Sequence, residues 1–113
     1  MNKIEAIIRP ERLDNVKDAL AEAGFNGLNV THVTGRGRQK GIAHQGRSGE
    51  RYQIDMLPKV KLEVVVPDAQ TERAVDLILA KARTGNVGDG KVFVSAVAQA
   101  YRVRTGEQGE EVL

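Results

Sequence analysis

The sequence contains neither cysteine nor tryptophan, and aromatic residues make up only 4% of it. Without cysteine, disulfides, zinc–thiolate sites and cysteine nucleophiles are excluded. Because aromatic residues are so few, the core has to be built from Val, Ile, Leu and Ala. The strand aromatics, Phe93 and Tyr101, do not form the stacking platform with which RNA-binding sheets hold single-stranded bases. We expect no disulfides and no direct binding to nucleic acid.

Long apolar runs are also missing. No stretch approaches the roughly 20 apolar residues that span a bilayer, and charges at Lys3 and Glu5 interrupt the first apolar run. We read no export signal at the start and expect a soluble, cytoplasmic protein. At 113 residues the chain fits one domain, 1–113.

Candidate catalytic groups are scarce. The two histidines, His32 and His44, have no evident carboxylate or nucleophile partner in the sequence, and a metal-hydrolase site is hard to assemble without cysteine. We predict no catalytic residues.

Charge is balanced except in one segment. The 17 basic and 15 acidic residues are interspersed over most of the chain, as on an ordinary solvated surface. Between Arg36 and Arg51, five basic residues face a single acidic one, Glu50. This bias suits an anionic ligand, although a solvated basic loop would have the same composition.

Apolar periodicity outlines the fold. It predicts strands at 3–9, 28–33, 60–66, 91–97 and 101–105, and helices at 13–23 and 74–82. The first strand is echoed by residues 61–66, and each copy is followed by a helix and another strand. Two such units predict an α+β, ferredoxin-like split βαβ fold (βαββαβ), with one antiparallel sheet covered by two helices.

A long polar segment separates the two units. Residues 35–55 contain five glycines and few large apolar side chains, and Pro58 is expected to close the segment. A structureless loop of this length is uncommon in a small domain and is usually functional. We expect a long functional loop at about 36–56.

The segment from Thr84 to Lys91 has glycines at positions 85, 88 and 90. It matches the G-x-x-x-x-G-K spacing of a P-loop, but Val92 stands where Ser or Thr is needed and a strand follows instead of a helix. We therefore reject a Walker A site. Glycines and a lysine still suit a phosphate cradle, with a plain helix-to-strand turn as the alternative.

Two further segments combine glycines or arginines in a similar way. Residues 35–41 begin like a dinucleotide fingerprint, but Lys40 replaces the third glycine and no helix follows. On the predicted last strand, Arg102 and Arg104 would point to the same side, a spacing suited to phosphate oxygens. A solvated edge strand is the alternative.

Together these segments resemble PII nitrogen-regulatory signal-transduction proteins along essentially the whole chain. Five blocks occur in the order typical of that family: residues 3–10, 35–41, 57–61, 84–93 and 102–107. The resemblance implies a homotrimer that binds ATP or ADP in clefts between subunits. The nucleotide-binding residues that it implies are Asn29, Gly35, Gly37, Arg38, Gln39, Glu63, Val65, Thr84, Gly88, Asp89, Gly90, Lys91, Arg102, Val103 and Arg104.

The resemblance also implies an effector, 2-oxoglutarate, bound with Mg²⁺ and ATP. Gln39 would contact the ion that the ATP phosphates hold, and Lys59 would pair with the far carboxylate. The 2-oxoglutarate-binding residues that it implies are Gly37, Arg38, Gln39, Lys40, Gly41 and Lys59.

The same resemblance implies a regulatory binding protein rather than an enzyme, with weak ATP hydrolysis left open. It also implies partners. It implies ammonium transporters, or enzymes and regulators of nitrogen metabolism, contacted through the long loop, so that the membrane is involved only through a transporter. Tyr52 aligns with a tyrosine that a nucleotidyltransferase modifies in some relatives, although this loop has an extra residue, and Ser48 is a second candidate for modification. The alternatives are a PII-like relative that responds to another effector such as bicarbonate, or a small ATP-hydrolysing enzyme.

Overall fold

The computed structural model describes residues 1–36, 43–45, 51–53 and 56–113. The strands are β1 Asn2–Ile8, β2 Leu28–Gly35, β3 Ala43–Gln45, β4 Arg51–Gln53, β5 Leu57–Val66 and β6 Gly90–Ala96. The helices are α1 Leu13–Glu22 and α2 Thr71–Ala82, with short 3₁₀ helices at Pro10–Arg12, Asp68–Gln70 and Glu110–Val112.

Four strands form one antiparallel sheet in the order β2-β5-β1-β6. The two segments that echo each other in the sequence are β1 and the second half of β5. They pair directly, with Ile4 opposite Val64 and Ala6 opposite Leu62. This order and the two helices confirm the ferredoxin-like βαββαβ fold.

The period of two in the sequence divides the sheet into two faces. Alternate residues of β1 and β5 are buried against the helices, which contribute residues at helical spacing. The buried core comprises Ile4, Ala6, Ile8, Val16, Leu20, Phe25, Val60, Leu62, Val64, Val66, Ala74, Ile78 and Ala82.

Within the described residues, neither helix packs on the other face of the sheet. We call it the open face; its side chains include Lys3, Glu5, Ile7, Asn29, Lys59, Lys61, Glu63, Val65, Lys91 and Phe93. Glu5 lies directly opposite Glu63, and each carboxylate pairs with a lysine of its own strand, Lys3 at 2.9 Å and Lys61 at 3.2 Å. The hydrogen bond from Lys3 lowers the pKa of Glu5. These pairs offset the like charges that face each other across the strands.

The helices are tied together by two arginines. Arg12, just before α1, donates hydrogen bonds from its guanidinium to the backbone carbonyls of Lys81 at 3.0 Å and Arg83 at 3.4 Å. The guanidinium of Arg73 lies 5.8 Å from the ring centroid of Phe25, within cation–π range. The end of α2, from which residues 84–90 start, is thus fixed against the start of α1.

The edge strand β2 and its neighbour β5 both extend further than predicted. β2 continues to Gly35 and β5 begins at Leu57, because the backbones of these ends pair with each other, Gly35 opposite Leu57 and Thr34 opposite Pro58. Pro58 therefore lies inside a strand instead of closing the loop. On its other side β1 reaches only as far as Val60, so the missing N–H of Pro58 interrupts no bond to β1.

The prediction of a short strand at 101–105 was wrong. Residues 103–105 form a turn, and only Tyr101 makes an isolated bridge, to Gln108. The turn is closed by hydrogen bonds from Gly106 N–H to Arg102 and from Arg102 N–H to Glu107. The prediction of a structureless long loop was also incomplete, because β3 and β4 pair within it as a two-stranded antiparallel ladder.

Candidate functional site

A cavity of ≈ 720 Å³ lies where the base of the long loop meets the segment between α2 and β6. We call that segment, residues 84–90, the glycine loop. The cavity is lined by Ile7, Gly35, Arg36, Leu57, Lys59, Asn86, Val87, Gly88, Asp89, Gly90, Lys91 and Phe93. Its volume suits a small organic ligand.

The glycine loop folds around the carboxylate of Asp89. One carboxylate oxygen accepts the backbone N–H groups of Thr84 at 2.8 Å and Gly85 at 2.9 Å. The other accepts the hydroxyl of Thr84 and the Nε of Arg9, the latter at 3.0 Å. The hydrogen bond from the Thr84 hydroxyl, then those from the backbone and from Arg9, hold the pKa of Asp89 well below its usual range.

Two cations, one directly after β1 and one within β5, hold the loop on the cavity side. Arg9, the residue after β1, also donates from a second guanidinium nitrogen to the carbonyl of Val87 at 2.9 Å. Lys59, near the start of β5, donates to the carbonyl of Gly88 at 2.6 Å. Burial, followed by repulsion from Arg9, lowers the pKa of Lys59.

Gly90 is required at the junction of the glycine loop and β6. Its φ is +101°, and an added Cβ would lie 1.7 Å from the carbonyl oxygen of Ile7. A side chain at position 90 is therefore incompatible with the pairing of Gly90 with Ile8. The close approach brings Lys91 beside Ile7, and both line the cavity.

The cavity is predominantly basic. Arg36, Lys59 and Lys91 line it together with Asp89, whose charge Arg9 balances. The arrangement is suited to binding an anion, because cations and flexible glycine backbone border the same space.

Six of the predicted site residues meet at this cavity: Gly35, Lys59, Gly88, Asp89, Gly90 and Lys91. Thr84 lies beside it, bonded to Asp89. Asn29, Glu63 and Val65 do not join them. Asn29 and Glu63 lie opposite each other towards the other end of the open face, and Glu63 is four residues beyond Lys59 on β5, roughly 13 Å at a rise of about 3.3 Å per residue.

The residues Arg102, Val103 and Arg104 also lie apart from the cavity lining. The prediction that they form a strand was wrong, because residues 103–105 form a turn. Val103 is fully exposed. Arg102 donates to the carboxylate of Glu107 at 3.0 Å and to the carbonyl of Glu111 at 3.3 Å. A turn does not place alternate side chains on one side, so the argument from strand spacing fails.

Several predicted residues lie outside the described part of the chain. These are Gly37, Arg38, Gln39, Lys40, Gly41 and Ser48. The backbone of Tyr52 is described, in β4 opposite His44. The roles assigned to all of these residues therefore stay predictions.

Sequence reasoning missed Ile7, Arg36, Leu57, Asn86, Val87 and Phe93 as cavity-lining residues. Arg36 could have been found, because it directly follows Gly35 in the basic segment. Ile7 and Phe93 read as ordinary strand residues, and only the sheet register, with Ile7 opposite Lys91, brings them to the cavity.

The described residues offer no protein-only metal site, because no three His, Cys, Asp or Glu side chains gather within them. In the same part of the chain, no helix is both long and apolar enough to cross a membrane.

Comparison with known proteins decides the family. The model of the family described as nitrogen regulatory protein P-II matches residues 1–107. The chain belongs to the P-II family. Nitrogen regulatory proteins P-II of Cereibacter sphaeroides and Rhodobacter capsulatus are 55% and 53% identical to it, and P-II 1 of Escherichia coli strain K12 is 51% identical. Each alignment covers 113 residues, the whole of both chains.

The resemblance read from the five sequence blocks is thereby confirmed. These relatives are named nitrogen regulatory proteins. Four of the blocks that carried the resemblance contribute to the cavity lining: Ile7 of 3–10, Gly35 and Arg36 of 35–41, Leu57 and Lys59 of 57–61, and residues of 84–93.

Proposed function

We propose that this P-II protein senses adenine nucleotides together with 2-oxoglutarate and controls partner proteins through its long loop. The observation that carries the proposal is the cavity, because it joins the base of the long loop to the glycine loop. A ligand bound there would touch both segments at once. Its presence or absence would therefore change the conformations available to the long loop.

The glycine loop is the proposed phosphate site. Gly88 and Gly90 have φ values of +105° and +101°, conformations that leave the backbone open to close approach. Lys91 supplies a point charge at the cavity wall. These features suit the phosphates of ATP or ADP.

For the effector, we propose that 2-oxoglutarate lies beside the nucleotide with one carboxylate on Lys59. Gln39 would supply its amide oxygen to a Mg²⁺ ion held by the ATP phosphates. Oxygen ligands of this kind suit a hard cation, and the lack of a carboxylate cage among the described residues is compatible with an ion that arrives with its nucleotide. ADP has no γ-phosphate, so one site could report both energy and nitrogen status.

A complete nucleotide site would need a second copy of the chain. Asn29, Glu63 and Val65 lie away from the cavity on the open face, and Arg102 and Arg104 lie in the C-terminal turn. In a homotrimer whose subunits meet along the open face, these residues of one subunit would face the cavity of the next. The exposure of Phe93 and Tyr101, 52% and 63%, supports such an interface.

Calorimetry tests the proposal. Purified protein is titrated with ATP and ADP, and then with 2-oxoglutarate in the presence and absence of ATP and Mg²⁺. We expect both nucleotides to bind and 2-oxoglutarate to bind only with ATP and Mg²⁺ together. Binding of 2-oxoglutarate without nucleotide would contradict the shared site, and the absence of any nucleotide binding would overturn the proposal.

The proposed readout is the contact between the long loop and a partner such as an ammonium transporter or an enzyme or regulator of nitrogen assimilation. The basic segment from Arg36 to Arg51 suits an acidic surface on that partner. Copurification with the transporter in ADP, followed by release with ATP and 2-oxoglutarate, is the expected behaviour.

Tyr52 is the proposed target of a nucleotidyltransferase, and Ser48 a weaker target for phosphorylation. Mass spectrometry of protein from nitrogen-starved and nitrogen-replete cells would detect either modification. Unmodified loop peptide under both conditions would rule out regulation of this kind.

The competing functions differ in measurable ways. A small ATP-hydrolysing enzyme would turn over ATP at a useful rate, whereas a sensor would leave it bound. A relative that responds to bicarbonate would show nucleotide-dependent binding of bicarbonate and indifference to 2-oxoglutarate. The presence of Lys59 at the cavity favours the dicarboxylate.

A further inference from the structure

The carboxylate of Asp89 presents a problem for a phosphate site. A negative charge within a phosphate-binding loop would repel the ligand unless the charge is engaged elsewhere. Asp89 is counted among the nucleotide-binding residues that the family resemblance implies. The contacts of its side chain indicate a different role.

All the hydrogen bonds described for the carboxylate run into the glycine loop or to Arg9. They come from Thr84 N–H, Thr84 Oγ1, Gly85 N–H and Arg9 Nε. One side chain thus joins the start of the loop to its end, five residues later. The Thr84 hydroxyl is held in turn by the N–H of Asn86 at 3.2 Å.

Arg9 completes the arrangement. Its side chain is 14% exposed, and it contacts the loop at two points, the Asp89 carboxylate and the Val87 carbonyl. The positive charge balances that of Asp89, and the two bonds fix the middle of the loop relative to the end of β1. A bond between two charged groups that are largely shielded from water contributes more than an exposed pair.

We propose that Asp89 is a positioning residue, whose carboxylate shapes the glycine loop for phosphate binding while Arg9 cancels its charge. This inference rests on the proposed nucleotide site and refines it. The loop would then be organised before the ligand arrives, which lowers the cost of ordering it on binding. The phosphate would be met by the loop backbone and Lys91, and not by the Asp89 side chain.

Asp89→Asn is the most direct variant. The side chain keeps its shape, but an amide has one oxygen acceptor where the carboxylate has two, and its NH₂ group would face N–H or O–H donors. Asp76→Asn is the matched control, because Asp76 lies on the exposed side of α2. Thr84→Ser and Thr84→Val form a second pair: the serine keeps the hydroxyl and the valine removes it.

The first measurement is hydrogen exchange in the ligand-free protein. In Asp89→Asn and Thr84→Val, the backbone amides at positions 84 and 85 should exchange about tenfold faster or more. The amide of the core residue Leu62 should keep its exchange rate. Asp76→Asn and Thr84→Ser should match the unaltered protein. Unchanged exchange at Thr84 and Gly85 in Asp89→Asn would overturn the proposal.

The second measurement is ADP affinity by calorimetry. The affinity for ADP should fall about tenfold or more in Asp89→Asn and in Thr84→Val. Thr84→Ser, which keeps the hydroxyl, should retain the affinity that Thr84→Val loses. Weaker ADP binding with unchanged loop exchange would place the carboxylate on the nucleotide and overturn the positioning role. If the unaltered protein binds no adenine nucleotide, the proposed function fails, whereas the exchange result still decides what shapes the loop.

Two variants of Arg9 separate the effect of its charge from that of its side-chain packing. Arg9→Lys keeps the positive charge beside Asp89, and Arg9→Gln removes it. We expect ADP affinity to fall more in Arg9→Gln than in Arg9→Lys, with the difference shrinking as salt is raised. Equal losses in the two variants at low salt would overturn the charge-balancing role of Arg9.

Discussion

Lys59 donates a 2.6 Å hydrogen bond to the backbone carbonyl of Gly88, and so connects the strand that follows the long loop to the centre of the glycine loop. The lysine is also the residue that we propose to bind a carboxylate of 2-oxoglutarate. An effector carboxylate that binds the Lys59 ammonium would compete with the Gly88 carbonyl for its hydrogen bond. The contact therefore offers a physical route from the proposed effector site to the glycine loop.

Replacing Lys59 should affect the two ligands unequally. In Lys59→Gln we expect 2-oxoglutarate affinity to fall by about a hundredfold, since a charged hydrogen bond contributes roughly 1.5–3 kcal/mol. ADP affinity should change by less than about tenfold, because the glycine loop keeps its bonds to Arg9 and Asp89. Calorimetry of both ligands measures the split.

The control for this variant is Lys61→Gln. Lys61 is the next lysine on the open face and pairs with Glu63 at 3.2 Å, away from the cavity lining. It should leave 2-oxoglutarate affinity largely in place. Equal losses in the two variants would mean that the effect is a general one of positive charge.

Binding of 2-oxoglutarate should weaken at alkaline pH. Burial, followed by repulsion from Arg9, lowers the pKa of Lys59 from its ordinary value, so the ammonium loses its proton earlier than an exposed lysine does. Because the carboxylate needs the charged form, affinity should fall as pH rises towards that lowered pKa. The affinity for 2-oxoglutarate is measured by calorimetry across the alkaline range in saturating ATP and Mg²⁺, and the affinity for ATP without 2-oxoglutarate is measured over the same range. We expect the affinity for 2-oxoglutarate to fall and that for ATP to stay level. Parallel pH profiles of the two affinities would contradict the role of Lys59.

Replacing Gln39 should lower the affinity for 2-oxoglutarate and largely leave that for ATP. In Gln39→Ala we expect 2-oxoglutarate binding to be abolished and ATP binding to be largely kept, because only the ion shared with the effector would lose a ligand. Gln99→Ala, at an exposed position after β6, is the matched control. Calorimetry showing unchanged 2-oxoglutarate affinity in Gln39→Ala would remove Gln39 from the site.

Most of the fold could be predicted because periodicity and packing agree. The alternation from Val60 to Val66 and the helical spacing of Val16 and Leu20 are both realised as buried core. The predicted strand at 101–105 failed because alternation over a few residues is weak. There the tight hydrogen bonds around Gly106, whose φ is +74°, decide the conformation.

The site was only partly predictable for a related reason. Glycines and lysines in sequence indicated a phosphate cradle, but the internal role of Asp89 depends on Arg9, 80 residues away in the sequence. No local pattern reports such a contact. Likewise, the distance of Asn29 and Glu63 from the cavity follows from sheet register, which the sequence of a single strand does not contain.

Acid should erase the contribution of Asp89 to stability. Its folded pKa is lowered, chiefly by the Thr84 hydroxyl, so its contribution is complete above the unfolded value of about 3.9 and declines as pH falls below it. Asp89→Asn should therefore be less stable than the unaltered protein at pH 7, and the gap should narrow below about pH 4. Urea unfolding at a series of pH values measures it, and a constant gap would contradict the assignment.

Gly90 and Gly85 allow strain to be separated from collision. Both have positive φ, +101° and +91°, but a Cβ at Gly90 would meet the Ile7 carbonyl at 1.7 Å, whereas nothing lies within 4 Å of one at Gly85. Gly85→Ala should cost only the conformational strain, about 1 kcal/mol. Gly90→Ala must in addition push β6 away from β1, so we expect a loss of about 3 kcal/mol or more in unfolding free energy. Urea unfolding at one fixed protein concentration compares the two; equal losses would show that the β1–β6 pairing at Ile8 tolerates a side chain.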